Sequence, residues 1–124
     1  ETAEAASAAL NSFRARLDGR FARIDWMLEN GHYDEAEDML KELSKAAKGA
    51  DAAEARAAAL AAQLKANELK AERAAEKKLL RLERTLFEKG PEEGLKRALL
   101  KLAEKEQGTK AAARAASWAE MIAG

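Results

Sequence analysis

The sequence predicts an all-α protein, and three observations lead to that prediction. Alanine, leucine, glutamate, lysine and arginine make up most of the 124 residues, and all five are strong helix formers. Valine is absent and aromatic residues contribute only 5% of the chain, so the residues that favour strands are scarce. Finally, four short glycine-containing junctions separate stretches in which apolar residues recur at helical spacing.

The first helix is predicted over residues 2–30, with apolar side chains on two opposite sides. Its main apolar face consists of Leu10, Phe13, Leu17, Phe21, Ile24 and Leu28. The opposite side carries a stripe of mostly small residues: Ala8, Ala15, Gly19, Ala22 and Trp26. We expect this stripe either to be approached closely by another helix or to form an interface with a second copy. Because glycine costs about 1 kcal/mol relative to alanine inside a helix, a kink at Gly19 is an alternative.

The second helix is predicted over residues 34–48. Gly31 is suited to the position after a helix C-terminus, where a left-handed backbone conformation is common. Asp34 is suited to cap the next helix, and Glu37 completes a capping box three residues later. This helix is expected to turn Ala36, Met39, Leu40 and Leu43 towards the core.

The third helix is predicted over residues 52–89, between the stop signal at Gly49 and that at Gly90, and Asp51 is its predicted cap. It would span on the order of 55 Å. Apolar residues follow two opposite sides, which predicts a helix sandwiched between others. Asn67 interrupts one of these stripes and is the predicted buried polar residue. It would fix the helix register or the oligomeric state, or lie partly exposed near a helix end, or alternatively contact a ligand in an internal pocket.

Two short helices are predicted over residues 92–107 and 110–123. Gly90 and Pro91 separate the first of them from the long helix, while Gly108 and Thr109 separate the two short helices. Trp118 is expected on the core-facing side of the last helix. Because every connection is short, consecutive helices should pack antiparallel. The sequence therefore predicts a five-helix antiparallel bundle with two long and three short helices, folded as a single domain over residues 1–124.

His32 is the single histidine and the first residue to test for chemistry. A zinc site needs several nitrogen or sulfur ligands, and the chain has no cysteine and no second histidine. A histidine in a turn is also poorly placed to ligate a haem. No carboxylate pair stands isolated in an apolar setting, as general acid–base catalysis would require. We therefore expect His32 to be a turn residue, and we expect no catalytic residue, metal site or cofactor.

The charge pattern argues against several classes of partner. Lysine plus arginine equals aspartate plus glutamate, and both signs are interspersed. Nucleic-acid binding requires a concentrated basic face, which this pattern does not provide. No apolar run approaches the roughly 20 residues that span a bilayer, and no secretory signal is visible. We expect no nucleic-acid partner, no membrane association and a soluble chain in a cytoplasmic expression host.

Residues 26–43 carry a local resemblance to a known family. The order Gly31, His32, Tyr33, Asp34, Glu35 and Ala36, followed by Leu40, resembles the turn and second helix of a tetratricopeptide-repeat hairpin. The resemblance implies that Tyr33 packs into the angle between two helices and that His32 faces solvent. The repeat period of that family does not recur along this chain, so peptide binding in a concave groove is not implied.

The uniformity of these signals resembles computational de novo design. Each junction carries its expected turn or cap residues and helix propensity is high throughout, whereas natural proteins usually break such rules at functional sites. We therefore expect no natural activity and no enzyme. The chain would be a designed scaffold or a homo-oligomer subunit that assembles through its alanine- and glycine-rich helix faces. The alternative is a designed protein binder, small-molecule binder or pocket-containing catalyst.

Overall fold

The computed structural model of the protein describes residues 2–122, and within them the fold is all-α, as predicted. No strand is found in this part of the chain. The six α-helices are α1 (Ala3–Glu29), α2 (Tyr33–Ala46), α3 (Asp51–Leu64), α4 (Lys70–Lys89), α5 (Glu93–Lys105) and α6 (Lys110–Met121). None of these helices is both long enough and apolar enough to cross a membrane.

The five-helix prediction is wrong because the helix predicted over residues 52–89 is interrupted. It ends at Leu64, and the backbone of Ala66 is extended, with φ −62° and ψ 145°. A single 3₁₀ turn, Asn67–Leu69, then leads into α4. The N–H of Leu69 donates to the carbonyl of Ala66 at 3.0 Å, which is the shorter hydrogen-bond spacing of a 3₁₀ turn. Two moderate helices therefore replace one very long helix.

Backbone contacts divide the chain into two compact units, Glu1–Leu64 and Lys65–Gly124. The first unit contains α1, α2 and α3, and the second contains α4, α5 and α6. Each unit is thus a set of three helices joined by short turns. The single domain over residues 1–124 stays a prediction.

In the first unit, α2 packs against both α1 and α3. The buried apolar side chains of the first unit are Leu17, Phe21, Ile24, Met27, Leu28, Tyr33, Ala36, Leu40, Leu43, Ala47, Ala57, Leu60 and Leu64. Those on α1 begin only at Leu17, although the helix starts fourteen residues earlier, at Ala3. The α1 helix is continuous through Gly19, so the alternative of a kink is not realised.

The turn between α1 and α2 follows the predicted glycine signal but not the predicted cap. Gly31 has φ 79°, the left-handed conformation that glycine adopts without steric cost. The helix then starts one residue earlier than predicted, at Tyr33, and His32 occupies the N-cap position without a side-chain cap hydrogen bond. Asp34 therefore lies inside the first turn, where its negative charge still suits the positive end of the helix dipole.

The start of α3 differs from its prediction in a similar way. Asp51 is the first helical residue rather than the residue before the helix. The carboxylate of Glu54 accepts a hydrogen bond from the backbone N–H of Gly49 at 2.8 Å, so this acidic residue does turn back towards the preceding loop. Gly49 has φ 93°, as expected for a residue that ends a helical segment.

In the second unit, each helix contacts the other two. The core consists of Ala75, Leu79, Leu95, Leu99, Leu102, Ala111, Ala115, Ala119 and Ile122. Side-chain contacts from α4 to α6 advance in the same direction along both helices, from Glu72 near Lys110 to Phe87 near Trp118. Because α4 and α6 run in the same direction, α5 runs back between them.

The N-terminus of α6 is capped from two directions. Thr109 Oγ1 accepts a hydrogen bond from the N–H of Ala112 at 3.1 Å, which confirms the predicted cap. A carboxylate oxygen of Glu72, on α4, accepts from the N–H of Lys110 at 3.1 Å. The helix is described to Met121, and the last predicted helical residue, position 123, lies outside the described residues.

Candidate functional site

The main apolar face of α1 continues beyond the part of the helix that α2 and α3 cover. Ala3, Ala6 and Leu10 are exposed and Phe13 is half-buried, whereas Leu17, four residues further on, is buried. These positions share one face, because residues three and four apart are neighbours on a helix. Leu10 remains 47% exposed, so the first unit covers this large apolar side chain on the core-facing side only in part.

An open groove borders this exposed stretch, and we call it the α1 groove. Its volume is about 520 Å³, within the range of roughly 300–1,000 Å³ typical of ligand pockets. Its apolar lining comes from Leu10, Phe13, Leu17, Phe21 and Ala53. Its charged lining comes from Arg14, Asp18, Asp51 and Arg56. The groove thus combines an apolar floor with a rim of mixed charge.

Arg56, on α3, lines the α1 groove and contacts side chains of α1. Its guanidinium carbon lies 4.5 Å from the ring centroid of Phe21, within the distance of a cation–π interaction. Its nitrogens lie 3.4 Å from a carboxylate oxygen of Asp25 and 3.8 Å from one of Asp18. Because these groups are largely exposed, solvent weakens the ion pairs, and they position Arg56 more than they stabilise the fold.

A second, shallower groove lies on the other side of the same apolar stripe. It has a volume of about 280 Å³ and shares Phe13 and Leu17 with the α1 groove. Arg16 and Arg20 line it together with Ala46, the last residue of α2. Phe13 and Leu17 therefore line both grooves, and each groove also has two arginines in its lining.

The interface residues predicted from the sequence lie on the opposite side of α1, and all five are exposed: Ala8, Ala15, Gly19, Ala22 and Trp26. A Cβ atom added to Gly19 would meet nothing within 4 Å. Within the first unit, no helix therefore approaches the stripe closely at this glycine. Whether the stripe is an interface stays a prediction.

Trp26 and His32 form a stacked pair on the first unit. Their ring centroids are 5.5 Å apart and their planes are inclined by 13°. The N–H of His32 donates to the carbonyl of Met27 at 2.8 Å, and the side-chain amide of Asn30 donates to the carbonyl of Trp26 at 2.8 Å. His32 thus helps to order the end of α1 and the turn. Among residues 2–122, no group of three or more metal-ligating side chains is close enough to hold an ion.

The predicted buried polar residue, Asn67, is exposed. It begins the 3₁₀ turn between α3 and α4 instead of lying on a continuous apolar stripe. Asn67 is exposed because the helix is interrupted. The backbone leaves the helical conformation at Ala66, so the apolar stripe ends there and Asn67 does not continue it.

The second unit contains a buried polar cluster that the sequence interpretation missed. Glu83 is 8% exposed, and both of its carboxylate oxygens accept from Arg114 Nη2, at 3.0 and 2.9 Å. The same carboxylate accepts from the indole N–H of Trp118 at 2.7 Å. Glu76, two turns earlier along α4, is also buried. A signal was present, because Glu76 and Glu83 lie three and four residues from Leu79, at core spacing.

Beside this cluster lies a small patch of aromatic and sulfur-containing side chains, formed by Phe87, Trp118 and Met121. The rings of Phe87 and Trp118 meet edge to face, with centroids 5.8 Å apart. Phe87 is 71% exposed and Met121, near the end of α6, is 74% exposed. The indole hydrogen bond to Glu83 fixes the orientation of Trp118, so the patch is rigid on one side.

Comparison with known proteins identifies no relative: no protein-family model, curated protein or solved structure matches the chain. The local resemblance to a tetratricopeptide-repeat hairpin stays a prediction. Tyr33, Ala36 and Leu40 are all buried between helices of the first unit.

Proposed function

We propose that the chain is a structural scaffold of designed origin that assembles with copies of itself and catalyses no reaction. The observation that carries the proposal is the exposed continuation of the α1 core face at Leu10 and Phe13, beside the α1 groove. We call these two residues and the groove the α1 docking surface. Regular turn glycines, helix caps and high helix propensity support the designed origin.

Burial of the α1 docking surface provides a modest driving force for association. A leucine or phenylalanine side chain gains about 1.5–3 kcal/mol when it is fully buried. Because Leu10 and Phe13 are already partly covered, each gains about 1 kcal/mol on further burial, or about 4 kcal/mol for the four side chains of a symmetric dimer. Burial of alanines and of the apolar groove lining adds to this free energy, and the entropy cost of association opposes it. We therefore expect assembly to depend on concentration.

The solution mass tests self-assembly directly. Light scattering across a concentration series should approach a multiple of 13.5 kDa as the concentration rises. The decisive variant is Leu10→Glu, which places a charge on the docking surface, and the matched control is Leu100→Glu. The two leucines are equally exposed, at 47% and 49%, and Leu100 lies on α5.

Leu10→Glu should keep the helical circular dichroism spectrum and lower the assembled fraction at least tenfold, while Leu100→Glu leaves it unchanged. A chain that stays at 13.5 kDa throughout the series would rule out self-assembly. An equal effect of both substitutions would rule out the α1 docking surface as the interface.

The volume of the α1 groove supports a second candidate function, a designed binder. A monomeric chain would leave about 520 Å³ of partly apolar groove available to a partner helix or a small molecule. In that case an apolar fluorescent probe such as ANS should bind stoichiometrically to the monomer, and Phe13→Glu should abolish the binding.

A further inference from the structure

We infer that the α1 docking surface receives the N-terminal segment of α1, residues 3–12, from a second copy, and that the two α1 helices run antiparallel. This inference rests on the proposed self-assembly and specifies its geometry. An antiparallel pair has a two-fold axis, so each copy gives its N-terminal segment and receives that of its partner. In one closed dimer, each docking surface is then covered by the partner's N-terminal segment.

The size of the groove fits this occupant. One turn of a helix, taken as a cylinder about 10 Å wide and 5.4 Å long, has a volume of about 420 Å³. The α1 groove, at about 520 Å³, can therefore admit roughly one turn. Every residue in 3–9 except Glu4 is alanine or serine. Such a segment is narrow, so its backbone can approach the groove floor closely.

The distribution of charge favours the antiparallel arrangement over the parallel one. Residues 14–23 contain four arginines and one aspartate, for a net charge of +3, whereas residues 3–12 contain one charged side chain, Glu4, for a net charge of −1. A parallel pair would place the two arginine-rich segments side by side, which is repulsive. An antiparallel pair places each of them beside the partner's weakly acidic segment and also opposes the two helix dipoles.

The packing of large against small side chains sets the register. With the two-fold axis midway between Leu10 and Phe13, each Leu10 lies opposite the partner's Phe13. Ala6 then lies opposite Leu17, so a small side chain meets a residue that lines the groove. Residue i of one copy therefore faces residue 23 − i of the other. This register covers Leu10, which is exposed, and Phe13, which is half-buried.

Distances between spin labels test the geometry, and the absence of cysteine from the chain makes the labelling specific. Ala8→Cys, Ala15→Cys and Ala22→Cys place single nitroxides at seven-residue intervals on the exposed side of α1, away from the docking surface. Because the three positions share a helix face, they differ mainly in their separation along the helix axis. In the antiparallel register, the two copies of a labelled position are separated along the helix axis by about 10 Å at position 8, about 10 Å at position 15 and about 32 Å at position 22, from a rise of 1.5 Å per residue.

Pulsed dipolar spectroscopy should therefore give equal distances for Ala8→Cys and Ala15→Cys and a clearly longer one for Ala22→Cys. One constant distance at all three positions would show a parallel dimer and overturn the antiparallel inference while leaving self-assembly intact. Loss of assembly on labelling these alanines would show that the small-residue stripe is the interface, which also overturns it. A monomeric mass with no dipolar signal, by contrast, would overturn the proposed self-assembly itself.

Discussion

Removal of the Glu83 carboxylate should destabilise the second unit strongly. In Glu83→Ala, Arg114 loses both of its hydrogen bonds to the carboxylate, and the indole N–H of Trp118 loses its acceptor. The guanidinium of Arg114 is poorly placed to find replacements. Its side chain is only 24% exposed, and its Nη1 atom is already buried without a hydrogen-bond partner.

The magnitude follows from the degree of burial. Breaking a buried ion pair by removing one partner costs about 3–5 kcal/mol, because a charge is left buried and unpaired. Since part of the Arg114 side chain remains accessible to water, the lower end of this range applies, and we expect a loss of about 3 kcal/mol. Glu83→Gln keeps an oxygen acceptor and loses the charge, so it should cost about 1–2 kcal/mol.

Replacing both partners should restore most of the stability. The double variant Glu83→Met, Arg114→Met removes both charges and keeps apolar volume at both positions. Replacement of a buried ion pair by apolar residues of similar volume is often neutral or stabilising. The indole N–H of Trp118 loses its acceptor in this variant too, which costs about 1 kcal/mol. We therefore expect the double variant to be more stable than Glu83→Ala by about 2 kcal/mol.

Urea denaturation measures these differences. In a Trp26→Phe background Trp118 is the only tryptophan, so its fluorescence reports the second unit. With an m-value of about 1 kcal/mol/M, a loss of 3 kcal/mol moves the unfolding midpoint by about 3 M. A loss below about 1 kcal/mol in Glu83→Ala, or a double variant as unstable as the single one, would refute the role assigned to the buried pair.

Three further pairs of substitutions test the backbone, a cap and the core by circular dichroism during thermal and urea unfolding. Gly49→Ala should destabilise the fold by about 1–2 kcal/mol because φ at Gly49 is 93°, although no atom lies near the added Cβ. Gly19→Ala, in a regular helix, should stabilise the fold by about 1 kcal/mol. Equal effects of the two substitutions would contradict the reasoning. Thr109→Ala should cost about 1 kcal/mol through loss of the α6 cap, and Thr109→Ser should keep most of it. Leu79→Ala should cost about 2–5 kcal/mol because Leu79 is completely buried, while Leu100→Ala, at an exposed leucine, should cost under about 1 kcal/mol.

The turns could be predicted from the sequence because their physical requirements are local. Gly31, Gly49, Gly90 and Gly108 all have positive φ, which side chains other than glycine rarely adopt. Helix ends were therefore located within a few residues from sequence alone. The first helical residue was harder to place, because several polar residues near each turn can serve as a cap.

The break between α3 and α4 could not be predicted in the same way. Residues 65–70 include no glycine or proline, and alanine, leucine, lysine and glutamate there all favour a helix. The one signal was Asn67, a polar residue on an apolar stripe, which the sequence analysis interpreted as a buried hydrogen-bonding residue. In the structure it starts a 3₁₀ turn, a position in which its side chain reaches solvent.

The candidate site was predicted only in part. The main apolar face of α1 was identified correctly, but the sequence alone could not show where α2 and α3 stop covering it, because that depends on tertiary packing. For this reason the alanine stripe was predicted as the interface, whereas the structure exposes both the stripe and the residues around Leu10. Glu83 was not singled out from the sequence, although it lies at core spacing from Leu79.

The hydrogen bond from Lys110 N–H to Glu72 has a consequence for the order in which the second unit forms. A twelve-residue helix such as α6 is marginal as an isolated peptide in water. One of its caps comes from a residue 38 positions earlier, so the capped helix is completed only when α6 packs against α4. A peptide of residues 109–121 should therefore be largely unstructured in solution, and it should become helical when a separate fragment that contains α4 and α5 is added.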